Sequence, residues 1–157
     1  MRLKNLVRLT GQPVIFPFYH VVSDEYLPHI RHLYRYRNVD QFEKDMDELL
    51  AIFEPLSLTE YLEEPERKRG RRCMVLSFDD GLWECHQVIA PVLRKKGIPA
   101  VFFLNNQFID NQGLFYRYKA SIIIDRILSD CKSREKAAEY LVVPDYQVAD
   151  AIRIVNY

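Results

Sequence analysis

An alternation of strand and helix patterns in the middle of the chain restricts its fold more than any other feature. An apolar run at 73–78 is followed by a helical pattern at 83–96 and by a second apolar run at 100–104. Gly97 suits the end of that helix, and Pro99 prevents its continuation. Strand, helix and strand in this order form a right-handed βαβ unit, which builds parallel sheets. The sequence therefore predicts an α/β fold with parallel strands.

Two helices are predicted upstream of this unit. The first begins at Asp40, where Glu43 has the spacing of a capping box, and the second extends from the Ser57–Glu60 capping box through Leu62. The apolar positions of the first helix fall on a single stripe: Phe42, Met46, Leu49, Leu50 and Phe53.

The two ends of the chain differ in character. The run at 13–19 predicts a strand that ends at His20, with prolines at its start and at a bulge, and a loop follows at 21–38. Beyond Asn105 the pattern is helical, and the predicted helices cover 119–130, 133–141 and 145–155.

Size and composition are those of a single globular domain. The 157 residues are enough for one hydrophobic core, and 22 basic side chains cancel 22 acidic ones. Nothing global therefore attracts the chain to nucleic acid or to a membrane. Charges interrupt the first ten residues where a signal peptide needs an apolar run, which predicts a cytoplasmic protein. The three cysteines lack disulfide or zinc spacing, and Cys73 is predicted to be a core thiol.

Asp79 and Asp80 follow the strand at 73–78 directly. Ligands and catalytic side chains gather at the carboxyl ends of parallel strands, and two adjacent carboxylates favour a bound cation or a shared proton. Asp-Asp-Gly is also ordinary turn and helix-capping composition. On spacing alone, both interpretations of the pair stay open.

Three segments together resemble a known family. Ser-Phe-Asp-Asp-Gly at 77–81, Tyr-His at 19–20 and Gly-Ile-Pro-Ala-Val-Phe-Phe at 97–103 resemble the polysaccharide deacetylases of the NodB-homology class. The resemblance runs from about Pro13 to Leu104. It implies a partial, irregular (β/α) barrel related to the TIM barrel. The chain, 1–157, would be the N-terminal portion of that domain, with 106–157 as a helical extension or insertion.

The resemblance also implies an activity and its residues. In the family the first aspartate is the general base and the second ligates a divalent metal such as zinc, which gives Asp79 and Asp80 these roles. His20 would line the pocket for an N-acetylated carbohydrate, although a structural role at the strand end is the alternative. The family's His-Ser/Thr-x-x-His motif, which supplies two more ligands, is absent from the sequence. The resemblance therefore implies a metal-dependent de-N-acetylase that lacks part of the family's domain, and whether the chain is an active enzyme is left open.

A non-catalytic module that binds carbohydrate or a partner chain is the alternative function. An unfinished parallel sheet would also leave apolar surface exposed, which predicts self-association.

Other candidate residues have simpler explanations. His29 and His32 are expected in an irregular loop rather than a metal cluster, and His86 is expected on the surface. Trp83 is expected in the core, with covering of the pocket as the alternative. The basic cluster at 67–72 is expected to be solvated beside its acidic neighbours, with a phosphate or nucleic-acid contact as the alternative.

Overall fold

The computed structural model of the protein describes residues 12–63, 72–142 and 144–150. It divides into two compact units. The first consists of the described residues of Met1–Glu25 and Tyr36–Asn106, and the second of those of Tyr26–Arg35 and Gln107–Tyr157. The predictions for the first ten residues, for the basic cluster up to Arg71 and for the helix beyond Asp150 lie outside the described residues. The assignment of 1–157 to a single domain stays a prediction.

The described residues of the first unit contain short strands and short helices. The strands are β1 Val14–Ile15, β2 Phe18–Tyr19, β3 Glu54–Pro55, β4 Cys73–Met74, β5 Leu76–Phe78 and β6 Ala100–Phe102. The helices are α1 Val39–Leu50, α2 Leu58–Glu63, a π-helical turn at Cys85–Ile89 and α3 Ala90–Lys96. Every strand pairing is parallel, in the orders β1-β4-β3 and β2-β5-β6. The predicted α/β fold with parallel strands is confirmed.

The two sheets share one ladder that Pro17 interrupts. The amides of Cys73, Val75, Ser77 and Asp79 donate in turn to the carbonyls of residues 13, 15, 17 and 19, at 2.8–3.1 Å. By the same alternation the amide of residue 17 would donate to the Val75 carbonyl, but proline has no N–H. The missing bond separates β1 from β2 and β4 from β5. The hydrogen bonds from the amides of residues 73–79 nevertheless continue on both sides of Pro17.

Helices cover one face of this ladder. The side chains of Met74, Leu76 and Phe78 are fully buried there against α1 and the π-helical turn. On the other face Cys73 and Val75 are buried with Leu56, and Tyr61 of α2 packs against them. The core thiol predicted for Cys73 is confirmed.

The start of α1 differs from the prediction. The helix begins at Val39, and its capping box is formed by Asn38 and Gln41 rather than by Asp40 and Glu43. The amide of Gln41 donates to Asn38 Oδ1 at 2.8 Å, and the Asn38 amide donates back to Gln41 Oε1 at 3.2 Å. Asparagine and aspartate cap about equally well, so the backbone conformation before the helix decides between them. The Ser57–Glu60 capping box of α2 is confirmed.

The helix predicted at 83–96 contains a π-helical turn that the prediction lacked. The Ala90 amide donates to the carbonyl of Cys85, five residues earlier. Pro91 follows, and its ring would clash with the carbonyl four residues before it in a regular α-helix. A π-turn accommodates this residue. The helix ends at Gly97 in the left-handed conformation, as predicted.

The second unit joins helices to a short upstream segment. Its helices are α4 Tyr116–Ser129 and α5 Cys131–Leu141, and a 3₁₀ turn follows at Asp145–Gln147. Ser121 of α4 is fully buried; its Oγ donates to the Pro28 carbonyl at 2.6 Å and accepts the His32 amide at 3.2 Å. The predicted helical C-terminal segment is confirmed, whereas the predicted loop at 21–38 is partly a component of this unit. Among the described residues, no helix is both long enough and apolar enough to cross a membrane.

Candidate functional site

The acidic pair lies directly after β5. The Asp79 amide donates to the Tyr19 carbonyl at 3.0 Å, which extends the parallel ladder by one residue. Tyr19 pairs with Phe78 in the register of β2 and β5. The residues that follow these two, His20 and Asp79, therefore lie side by side at the carboxyl edge of the sheet.

His20 and Asp79 face each other through their side chains. The Nε2 atom of His20 is 3.9 Å from Oδ2 of Asp79, and the two side chains are 31% and 39% exposed. This separation is longer than a hydrogen bond but short enough for electrostatic attraction if the imidazole is protonated. The Phe18 ring lies 5.8 Å from the imidazole, centre to centre. The edge thus combines a carboxylate, an imidazole and an apolar ring, all accessible to a ligand.

Asp80 and Gly81 form a tight turn after Asp79. Both residues have left-handed backbone conformations, with φ of 72° and 66°. Aspartate tolerates this region better than most residues, and glycine adopts it freely. A Cβ atom at Gly81 would lie 2.6 Å from Cδ2 of Leu104, so only glycine fits without a shift of that side chain. The turn sends the chain from the strand end into the following helix.

Cys85 is a neighbour of the site that the sequence analysis did not identify. Its thiol is buried, and Sγ donates weakly to the His20 carbonyl at 3.8 Å. Burial, followed by the negative charges of Glu84 and Asp80, raises the pKa of the Cys85 thiol to about 11. The thiol is therefore protonated at neutral pH and supports the His20 backbone instead of acting as a nucleophile. Its position at the start of the helix, four residues before the buried Ile89, is the sequence signal for an inward side chain.

The structure corrects the expectation for Trp83. This side chain is 72% exposed rather than part of the core, because it precedes the buried stripe that begins at Cys85. Its ring centre lies 6.0 Å from that of His86, which is exposed as predicted.

His29 and His32 belong to the second unit and have protein partners there. His32 Nε2 lies 3.0 Å from Oδ1 of Asp125, which also accepts a hydrogen bond from the Tyr26 hydroxyl. The Tyr26 hydroxyl, followed by His32, holds the pKa of Asp125 below its usual range. The His29 ring packs edge-on against Tyr118 at 5.6 Å. These contacts fit the expectation of an irregular loop tied to α4.

The described residues do not supply a complete catalytic metal centre. Asp79, Asp80 and His20 carry the oxygen and nitrogen donors that divalent metals accept, yet the described part of the chain contains no cluster of three or more His, Cys, Asp or Glu residues arranged to hold an ion. Catalytic zinc sites normally use three protein ligands. The donor types fit a divalent cation, but their number does not.

Comparisons with known proteins show what the segment around the acidic pair is similar to. The polysaccharide deacetylase family model matches residues 66–138, a segment that includes Asp79, Asp80 and Gly81. No curated protein matches the chain.

A solved structure of a de-N-acetylase from Aggregatibacter actinomycetemcomitans is similar in fold, with a TM-score of 0.53 and 24% sequence identity. The similarity covers 66% of this chain and 42% of that one, so the chain spans less than half of the structure that it matches. The resemblance predicted from the sequence is confirmed. Residues 66–138 thus match the polysaccharide deacetylase family model, within a chain whose fold is similar to part of a de-N-acetylase structure.

Proposed function

We propose that this chain is a carbohydrate de-N-acetylase-like domain that hydrolyses the amide bond of an N-acetylated sugar. The observation that carries the proposal is the His20–Asp79 pair at the carboxyl edge of the parallel sheet, with a separation of 3.9 Å. Asp79 lies inside the segment that matches the polysaccharide deacetylase family. Active sites of α/β folds concentrate at this edge.

Asp79 is the proposed general base. Its carboxylate would accept a proton from water as the water oxygen attacks the acetamide carbonyl carbon. The new C–O bond forms, the C–N bond breaks, and the proton passes to the departing amine, so that acetate and a free amino sugar result. His20 would position the Asp79 carboxylate and the substrate relative to each other. The exposed Phe18 ring beside His20 offers an apolar face to a sugar.

Metal dependence is part of the proposal through Asp80. The family resemblance gives this carboxylate the role of a ligand to a divalent cation such as zinc, and such an ion stabilises oxyanions when bound. The described residues provide fewer donors than a catalytic metal site needs, and the proposed roles of His20 and Asp79 do not depend on a bound ion.

The decisive assay measures acetate released from an acetylated chitooligosaccharide, with and without added Zn²⁺ or Co²⁺. We expect Asp79→Asn to abolish whatever release the parent chain shows, while Asp40→Asn, at an exposed position of the first turn of α1, leaves it unchanged. Equal release from the parent and Asp79→Asn proteins would contradict the role of Asp79.

A non-catalytic carbohydrate-binding or partner-binding module is the second candidate. It is favoured by the absence of a three-donor cluster from the described residues. Binding of the same oligosaccharide without acetate release, at any metal concentration, would support this module over the enzyme.

A cytoplasmic location is proposed as well. Cys73, Cys85 and Cys131, which all lie within the described ranges, form no disulfide, as is usual for proteins of a reducing compartment. Fractionation of the native host would test it.

A further inference from the structure

A polar cluster lies behind the candidate site, on the helical side of the sheet. The Tyr19 hydroxyl donates to Oδ2 of Asp45 at 3.1 Å, and the Arg37 Nε donates to the same oxygen at 2.8 Å. Asp45 lies on α1 between Phe42 and Met46, both fully buried. An acidic residue next to such a stripe needs partners, and Tyr19 and Arg37 provide them.

The Tyr19 ring is fixed by packing as well as by its hydroxyl. It meets the Phe42 ring edge-on at 5.3 Å and stacks on the Phe78 ring at 5.9 Å, centre to centre. Burial, followed by the charge of Asp45, raises the pKa of the Tyr19 hydroxyl well above its ordinary value. The hydroxyl therefore stays protonated and remains a donor to Asp45 throughout the physiological pH range.

The backbone of Tyr19 connects this cluster to the site. Its carbonyl accepts the Asp79 amide at 3.0 Å, and the next residue in the chain is His20. Three residues after His20, the Ser23 amide donates to the Arg37 carbonyl at 3.0 Å. Both flanks of His20 are thus connected to Asp45 by hydrogen bonds. Tyr19 bonds to Asp45 itself, and Ser23 bonds to Arg37, which in turn bonds to Asp45.

We propose that Asp45 is a positioning residue, which acts through Tyr19 to hold His20 and Asp79 in their facing arrangement. The proposal rests on the proposed function for its catalytic meaning. Its structural content is independent of activity, since it concerns the hydrogen bond between the Tyr19 carbonyl and the Asp79 amide. A purely space-filling role for Tyr19 would need only its ring.

Amide hydrogen exchange tests the proposal in the full chain. We expect Tyr19→Phe and Asp45→Ala each to increase exchange of the Asp79 amide by about fivefold, which corresponds to loss of one ordinary hydrogen bond. The Ser77 amide, which donates to the Pro17 carbonyl one step earlier on the same ladder, should keep its protection. Asp45→Asn keeps an oxygen for the Tyr19 hydroxyl, so it should restore most of the Asp79 protection.

The matched control is Asp47→Asn, two residues further along α1, whose side chain pairs with Lys96 instead of Tyr19. Equal acceleration at Asp79 and Ser77 would indicate general destabilisation and would overturn the proposal, as would unchanged exchange at Asp79. If the parent chain releases acetate, Tyr19→Phe should lower kcat with little change in KM. If it releases none, the exchange result still decides the positioning role separately from the proposed function.

Discussion

His20 and Asp79 face each other because the strands before them end at the same level. The pairing of Tyr19 with Phe78 brings the two following residues to adjacent places, with 3.9 Å between Nε2 and Oδ2. A shift of one residue in that register would turn one of the two side chains to the opposite face. The geometry of the candidate site therefore depends on the pairing of β2 with β5, which begins directly after Pro17.

The Asp80 variants separate a ligand role from a backbone role. Because Asp80 has a φ of 72°, Asp80→Ala should lower the free energy of unfolding by about 1 kcal/mol through left-handed strain alone. Asparagine tolerates this conformation, so Asp80→Asn should melt like the parent in the absence of metal. Thermal melts with and without Zn²⁺ measure both effects. A Zn²⁺-dependent rise in Tm that survives in Asp80→Asn would argue against a ligand role.

Gly81→Ala should destabilise the chain more than Gly97→Ala. Both glycines have a φ of 66°, but an added Cβ at Gly81 meets Leu104 whereas one at Gly97 has no atom within 4 Å. The shared left-handed strain cancels in the comparison, and the difference reports the contact with Leu104. Denaturant unfolding measures it, and Leu104→Ala combined with Gly81→Ala should recover part of the loss. Equal losses at both glycines would show that the turn has room to adapt.

Tyr19 should make the fold sensitive to alkaline pH. The unfolded tyrosine loses its proton near pH 10.0, while the folded hydroxyl keeps it because its pKa is raised. Above pH 10 the unfolded state therefore binds fewer protons than the folded state, and stability falls as pH rises, by at most about 1.4 kcal/mol per pH unit. Urea unfolding of the parent and Tyr19→Phe at pH 8 and pH 11 isolates this contribution. The two proteins should differ less at pH 11, and an unchanged difference would contradict the assignment.

The cysteines should react with iodoacetamide at very different rates. Cys131 is exposed, whereas Cys73 and Cys85 are buried, and the pKa of Cys85 is raised to about 11. Thiolates are the reactive form, so Cys131 should be alkylated first at pH 8 and Cys85 only on unfolding. Mass spectrometry of timed samples measures the order. Early labelling of Cys85 would mean that the helix after the acidic pair opens readily.

Exposed aromatic side chains on the sheet face opposite α1 should promote self-association. Phe16, Phe18 and Phe103 are 54%, 64% and 56% exposed, although parallel sheets are usually covered on both faces. Phe18→Ser combined with Phe103→Ser should lower the apparent mass measured by light scattering at high protein concentration. The control is Tyr140→Ser, on the exposed surface of α5. A parent protein that is strictly monomeric would rule out this association.

Local sequence patterns predicted much of the fold. The strand region at 73–78, present as β4 and β5, depends on neighbouring residues. So do the end of the helix at Gly97 and the Ser57–Glu60 capping box, and the structure contains all of these features. The π-turn was missed because the apolar spacing around it still looks helical. Pro91 was the available signal for that irregularity.

The contacts that support the site were less predictable. Asp45 is 26 residues from Tyr19, and no short pattern specifies that their side chains meet. The signal was an acidic residue bordering the apolar stripe of α1, which indicates a partner without naming it. The Asp79–Asp80 pair, in contrast, could be located at a strand end because its strand and turn are contiguous.

The second unit is discontinuous in the chain, and this affects how the protein can be divided and synthesised. Ser121 of α4 is fully buried and bonded to residues 28 and 32, which precede it by roughly ninety positions. A fragment that begins after Asn106 would lack these partners and leave a polar side chain of α4 unsatisfied. During synthesis, Tyr26–Arg35 leaves the ribosome well before α4 exists. The contacts between those ten residues and α4 can form only after α4 has been synthesised. They join residues far apart in sequence, and contacts of this kind slow folding.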